Sequence, residues 1–302
     1  RETMAITVNT NMAALTAQSS LNKSTTKMNT AMERMTTGYR INSSKDDAAG
    51  MAVANKLNYK VSSLNVAQDN GQMGASMLDT AEGVLGVMKD NLVRIRDLTE
   101  QAANGTYGTD AMKAIKTEVG ARLAEISRMA NSSEFNGRVL FNEDTKTGVT
   151  SDINLQVGIT SADESVIKLD KALFAKATAT ALFAGSKFVS MKGTDIEVKA
   201  FDNDGKKSAD ENARAFLTDI DSALANITDR TTQIGGNQQR IISAIESASV
   251  METNLTSAAS LIQDADIAEE SSNYIKQQIL QQTSASLLAT ANQAPSIAMN
   301  LV

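Results

Sequence analysis

LTDIDSALANITDRTTQIGGNQQRIISAIESASVMETNLTSAASLI, residues 217–262, decides how this chain folds. In alternating steps of three and four it presents Leu217, Ile220, Leu224, Ile227, Thr231, Ile234, Gln238, Ile241, Ile245, Ala248, Glu252, Leu255, Ala259 and Ile262, and eleven of these fourteen positions are apolar. The period holds for about six heptads, which marks a helix packed lengthwise on other helices rather than a short helix with one buried stripe. At about 1.5 Å per residue, residues 210–262 are expected to run roughly 80 Å. That is long for a domain of this mass, so the sequence predicts a rod whose remaining helices come from the rest of the chain.

Downstream, Gln263-Asp264-Ala265-Asp266-Ile267 loses the register and predicts a bend. A last helix is expected to carry Leu280, Ser284, Leu287, Ala291, Ala294, Ala298 and Leu301 along its seam, kinked or loosened at Pro295. Upstream of residue 208 the period is different. Ile153, Leu155, Val157 and Ile159 alternate as a half-buried strand does, Val139-Leu140-Phe141 and Val166 to Leu169 predict two more strands, and residues 175–190 have no clear period. Ile196, Val198 and Ala200 followed by Asp202-Asn203-Asp204-Gly205 predict a hairpin arm and its turn. Residues 135–207 therefore read as a small β-rich insert, entered where Phe135-Asn136-Gly137 breaks a helix.

Before the insert, Met112, Ile115, Val119, Ile126 and Met129 predict one long helix with Arg122 as its polar seam position, preceded by a capped turn at residues 104–110. Leu57, Val61 and Leu64, then Leu78, Ala81, Leu85, Met88, Leu92, Ile95, Thr99 and Ala102, predict another, with Asp46 and Asp47 at its start. The first helix begins near Asn9 and Asn11, carries Leu21, Met28, Met32 and Met35, and closes at Gly38. The fold class is mainly α: an elongated rod of long antiparallel heptad helices, coiled-coil-like, with a small β-rich tip inserted between the N- and C-terminal helices.

Composition narrows the function. The net charge of -6 leaves no basic stripe to replace phosphate counterions, which argues against nucleic acid. Without Cys there is no disulfide framework or thiolate site, and without His the commonest general base and zinc ligand are both missing. No His-Glu-x-x-His metalloprotease motif and no phosphate loop of the G-x-x-x-x-G-K type occurs. The pairs Asp46 with Asp47 and Asp264 with Asp266 lack a third ligand and read as helix caps rather than cation sites. No enzyme, metal or cofactor is expected. No stretch of about eighteen apolar residues offers a membrane span. No cleavable secretory leader is visible, and Arg1-Glu2-Thr3 are read as lying upstream of a natural start at Met4.

The ends carry the functional signal. Residues 5–22 and 278–302 contain no charged residue. A lone pair of such helices buries too little area to offset its ordering entropy, so mobile ends are expected in a single subunit. One reading is two loose tails. The other is self-assembly, in which uncharged faces let many copies converge without like-charge repulsion. On that second reading the assembly residues are Leu15, Leu21, Met28, Met32, Met35, Leu280, Leu287, Ala291, Ala294 and Leu301.

Several motifs resemble a known family. Ile41-Asn42-Ser43-Ser44-Lys45-Asp46-Asp47-Ala48-Ala49-Gly50 resembles the N-terminal signature of bacterial flagellins. Val8-Asn9-Thr10-Asn11 and Ala291-Asn292-Gln293-Ala294-Pro295 resemble the family's two termini. Arg94-Ile95-Arg96-Asp97-Leu98 and Phe135-Asn136-Gly137 fall where the family has them. The resemblance covers residues 5–165 and 208–302, and residues 170–207 correspond to the family's variable region. It implies an N-terminal inner-tube helix and linker at 5–44, the first half of an outer-tube helical domain with its β-rich tip at 45–176, a short variable insert at 177–207, the C-terminal outer-tube helix at 208–263, and a linker with the second inner-tube helix at 264–302. It implies a homopolymer exported unfolded by the flagellar type III apparatus and polymerised under a filament cap, with hook-junction proteins and an export chaperone as further partners. It also implies recognition by the flagellin-sensing Toll-like receptor at Arg94, Leu98, Gln101 and Glu118. A hook–filament junction protein shares the end pattern and is the rival reading. A chemoreceptor-like signalling bundle is the remoter one, because its tip lacks a β-rich insert.

Overall fold

The computed structural model describes residues 10–142, 148–192, 195–202 and 208–299, with backbone alone at 191–192, 195 and 294–299. The helices are α1 (Met12–Thr37), α2 (Ala48–Ala102), α3 (Thr109–Ser132), α4 (Ala179–Leu182), α5 (Ala209–Gln263) and α6 (Ile267–Met299). The strands are β1 (Glu134–Phe135), β2 (Arg138–Val139), β3 (Ile153–Gln156), β4 (Val166–Leu169), β5 (Val189–Lys192) and β6 (Asp195–Val198), so the small strand-containing region lies between the long helices, as the sequence predicts. The chain forms two packing units, Arg1–Val61 with Thr253–Val302 and Ser62–Glu252.

In the unit of residues 62–252, α2 and α5 run antiparallel, and their cross-links fall in α5 as they rise in α2. Gln68 donates to Glu252 at 2.8 Å, Gln238 donates to Asp79 at 2.7 Å and to Glu82 at 3.0 Å, and Arg96 pairs with Asp221 at 2.8 Å. The hydrogen bond to Asp221 raises the Arg96 pKa above its ordinary value. All fourteen α5 seam positions are buried or half-buried along the helix. The three polar ones are met by partners: Thr231 donates to Ile227 O, while Gln238 and Glu252 face the α2 side chains above. α2 answers within the unit with Leu64, Ala67, Gly71, Gly74, Leu78, Ala81, Leu85, Met88, Leu92, Ile95 and Ala102, all buried.

α3 packs as the third helix through buried Met112, Ile115, Val119, Leu123, Ile126 and Ala130. The seam thus passes through Leu123 rather than Arg122. Arg122 sits at the edge of the interface, where it donates to Glu118 and to Asn91, both at 3.2 Å. α3 begins after Gly108, whose lack of a side chain leaves the start without the side-chain cap expected there.

Among the described residues, three two-stranded antiparallel ribbons follow. The expected strand over 139–141 is instead a hairpin of β1 and β2, turned by Asn136 (φ 50°) and Gly137 (φ 76°). Two successive left-handed residues are what a tight hairpin turn requires, and Asn-Gly supplies them. Leu140 and Phe141 continue past it into the core. β3 pairs with β4, Leu155 opposite Ile167. β3 stops at Gln156: the Val157 and Gly158 amides both converge on Ser165 O, and Ile159 is exposed. β6 pairs with β5, which precedes it, with Lys192 opposite Asp195, whereas the expected turn follows β6 at Asp202 to Gly205. Residues 203–205 of that expected turn lie outside the described residues.

The aperiodic stretch folds around aromatic rings. Phe216 of α5 meets Phe183 at 5.4 Å, Phe188 at 5.9 Å and Phe201 at 6.3 Å between ring centroids. Arg230 of α5 reaches the same region and donates to Ala175 O at 2.6 Å, its pKa lowered by burial.

Candidate assembly surface and receptor patch

The unit containing both chain ends is built around α1 and α6, packed antiparallel. Asn11 caps α1 by accepting from the Ala14 amide, and it donates across to Ala291 O at 2.7 Å. Gln281 donates to the Thr25 hydroxyl at 3.0 Å, and Arg34 pairs with Glu270 at 2.9 Å. Between these cross-links α1 contributes Ala14, Ala17, Leu21, Ser24, Met28, Ala31 and Met35, and α6 contributes Glu270, Tyr274, Gln277, Gln281, Ser284, Leu288 and Ala291, all buried or half-buried.

This seam corrects the expected one. Leu21, Met28, Met35 and Ala291 lie in it, but Leu280 and Leu287 are 42% and 59% exposed, and Leu15 and Met32 of α1 are 64% and 50% exposed. The physical reason is that α6 has apolar residues on several faces. Its polar cross-links, not its leucines, select the face turned to α1, rotating the seam about one position from the leucine row. α6 runs through Pro295 to Met299. Ala294 lies on that helix with its side chain outside the described residues, as Leu301 is altogether. The outward faces therefore present Met12, Leu15 and Met32 on α1 and Ile275, Ile279, Leu280 and Leu287 on α6.

The linkers that join this pair to its unit are themselves paired. The Arg40 amide donates to Gln263 O at 2.6 Å and the Ala265 amide to Gly38 O at 2.9 Å, across a Tyr39–Asp264 bridge. Gly38 closes α1 in the left-handed conformation, at φ 77°. Asp46 ties the following loop by accepting from the Ser43 hydroxyl and from the Ser43 and Asn42 amides. The Ser43 hydroxyl is the chief cause of its lowered pKa, so the loop's ionised form is retained as pH falls until that lowered value is crossed. Asp47 caps α2 by accepting from the Ala49 and Gly50 amides. A Cβ on Gly50 would stand 2.7 Å from the buried Ile41 side chain, so the glycine admits that close approach.

In the other unit, Arg94 of α2 and Glu118 of α3 meet at 3.4 Å, with side chains 51% and 39% exposed. Gln101 is exposed and donates to the Tyr107 hydroxyl at 2.8 Å. Leu98, named with these three on family likeness, lies inward of them. It is 4% exposed, because α2 is covered on two sides here and buries Leu98 and Thr99 together. A hollow of about 1150 Å³ lies nearby, lined by Tyr107, Met112, Lys116, Phe201 and Asp202, with Lys116 and Asp202 paired to each other. Among the described residues no group of His, Cys, Asp or Glu is placed to hold a metal ion.

Comparison with known proteins decides the family. Residues 8–146 match the bacterial flagellin N-terminal helical region and residues 217–302 the bacterial flagellin C-terminal helical region. The chain belongs to the bacterial flagellin family. It is 36% identical over 312 residues to the flagellin of Xenorhabdus nematophila and 34% identical over 352 residues to that of Serratia marcescens, covering 99% of this chain and 100% of each relative. A structure described as flagellar hook-associated, from Vibrio parahaemolyticus, shares the fold, with a TM-score of 0.57 at 17% identity over 72% of this chain and 99% of that one. As a flagellin the chain is a structural subunit of the extracellular flagellar filament and not an enzyme. No helix among its described residues is long and apolar enough to cross a membrane.

Sequence reasoning missed two things. The ring cluster had a visible signal, since all seven Phe fall between residues 135 and 216. The rotated α6 seam had none in its leucines, and only the polar cross-links reveal it.

Proposed function

We propose that this flagellin polymerises through its two terminal helices, with residues 5–44 and 264–302 forming the inner tube of the filament and the long helices the outer one. The observation that carries this is the set of apolar side chains left outside the α1–α6 pair on segments largely without charge. Beside Leu21, Met28, Met35 and Leu288, much of the pair's seam is small or polar, as at Ala14, Ala17, Ser24 and Ser284, which bury little apolar area. Copies of the pair supply the missing cover. Export unfolded through the flagellar type III apparatus, a chaperone on the C-terminal segment, and contact with a filament cap and hook-junction proteins complete this reading by family likeness.

The test is electron microscopy of the purified chain after addition of filament seeds, beside a chain lacking residues 5–22 and 278–302. Long tubular filaments from the full chain and none from the shortened one are expected. Short rings from the full chain would favour a junction protein instead, and equal polymerisation by the shortened chain would remove the role of the ends.

Arg94, Gln101 and Glu118 form the proposed contact for the flagellin-sensing Toll-like receptor, with Leu98 supporting α2 from beneath. Hydrogen bonds to charged groups contribute about 1.5–3 kcal/mol each, and about 1.4 kcal/mol is tenfold in affinity. Arg94→Ala with Glu118→Ala is therefore expected to weaken signalling by monomer roughly tenfold or more. A dose response that does not move would show that the receptor reads another surface.

A further inference from the structure

The chain has no Cys and no Trp, so its fourteen methionines are its most readily oxidised side chains. Their exposure divides them sharply. In α1, Met28 and Met35 are half-buried against α6, and the Met35 sulfur accepts a 3.9 Å hydrogen bond from the Ser271 hydroxyl. Met12 and Met32 of the same helix point away, 65% and 50% exposed. In the unit of residues 62–252, Met73 and Met251 are 58% and 48% exposed, while Met77, Met88 and Met112 are buried. A soluble oxidant meeting the free subunit therefore finds four strongly exposed thioethers among the described residues, two on the terminal helix pair and two outside it.

We propose that Met12 and Met32 are an oxidant-sensitive modification site that controls whether a subunit can join the filament. This rests on the reading of the terminal helices as the assembly surface. The reagent is a hydroperoxide. Its terminal oxygen forms a bond to the methionine sulfur as the O–O bond breaks. The thioether loses two electrons and becomes a sulfoxide, and the departing oxygen takes up the hydroperoxide's own proton and leaves as an alcohol, or as water from hydrogen peroxide.

The product replaces a flexible apolar side chain with a polar one. In the free subunit both positions face water, so the sulfoxide oxygen is solvated and the α1–α6 pair is untouched. Between packed copies the same oxygen loses its water and faces apolar cover. Burying a polar group without a partner is unfavourable. The effect therefore falls on assembly and spares the fold. Sulfoxide is also reducible by thiol-dependent methionine sulfoxide reductases, which makes the change reversible.

The test treats the purified full chain with hydrogen peroxide, maps the sulfoxides by mass spectrometry and measures elongation from filament seeds. Sulfoxide is expected at Met12, Met32, Met73 and Met251 before Met28 and Met35, with unchanged far-UV circular dichroism and elongation slowed at least tenfold. Met12→Leu with Met32→Leu, a swap that preserves volume and apolar character, is expected to keep its elongation rate after peroxide. Met73→Leu with Met251→Leu is expected to lose it as the parent does. Full oxidation at Met12 and Met32 with undiminished elongation overturns the proposal, as does a Met12→Leu/Met32→Leu chain that stays sensitive. An untreated parent that never extends seeds sinks the assembly reading itself, and this outcome differs from both.

Discussion

Phe216→Ala lowers the unfolding free energy by about 3–5 kcal/mol, the range for removing a fully buried phenylalanine. Phe216 has no exposed surface and is the ring on which Phe183, Phe188 and Phe201 all converge. Its removal empties the centre of that cluster. The neighbouring segments are short strands and a one-turn helix, whose isolated stability is slight, so they have little means of collapsing into the gap without losing their own pairing. Chemical denaturation of the full chain followed by circular dichroism measures the shift in midpoint at constant slope. Phe216→Leu, which keeps most of the apolar volume, is expected to cost markedly less. A Phe216→Ala midpoint within error of the parent would mean that the rings do not support this region.

Leu280→Asp with Leu287→Asp abolishes filament elongation and leaves the subunit folded. Both leucines are exposed in the subunit, so the carboxylates stay solvated there and the helix loses only the modest propensity difference between Leu and Asp. On the proposed assembly through the ends, two unpaired carboxylates per subunit enter an apolar contact, at a cost of several kcal/mol each. With about 1.4 kcal/mol per tenfold, the elongation equilibrium shifts by at least a thousandfold. Seeded elongation followed by light scattering reads this directly. Leu288→Asp, inside the α1–α6 seam, supplies the contrast: it is expected to disturb the terminal helix pair itself, seen as lost helical signal before any seeds are added. If the Leu280→Asp/Leu287→Asp chain elongates at the parent rate, the leucine row is not an assembly contact.

The long helices were legible because a heptad row survives translation into space. Each seam position from Leu217 to Ile262 is at least half-buried, and the polar interruptions at Thr231, Gln238 and Glu252 found partners rather than breaking the row. The pairing of residues 153–156 with 166–169 was legible for the same reason at period two. Legibility failed where the partner rather than the period decides. Arg122 and Leu123 are neighbours in sequence, and only the position of α2 settles which of them faces it. The residues 175–190 have no period because they fill space around Phe216 rather than forming a repeating face. The α6 leucines misled because a helix with apolar residues on several faces has no unique inside until its neighbour is known. Among the expected receptor residues, Arg94 and Glu118 were brought together across α2 and α3, whereas Leu98 was drawn inward by covering helices that a single helical period does not reveal.

The Tyr39–Asp264 bridge and the α1–α6 pair carry a consequence in time. Both join segments that stand more than two hundred residues apart, and closing so long a loop must precede any reward from the contacts it creates. α2 and α3 meet through neighbours in the chain and can associate early. α1 has no α6 to pair with until residues 267–299 have emerged. A subunit delivered N-terminus first therefore carries an incomplete terminal unit for most of its passage. On the proposed assembly through the ends, delivery of the last helix is the clock that turns a carried chain into a joining one.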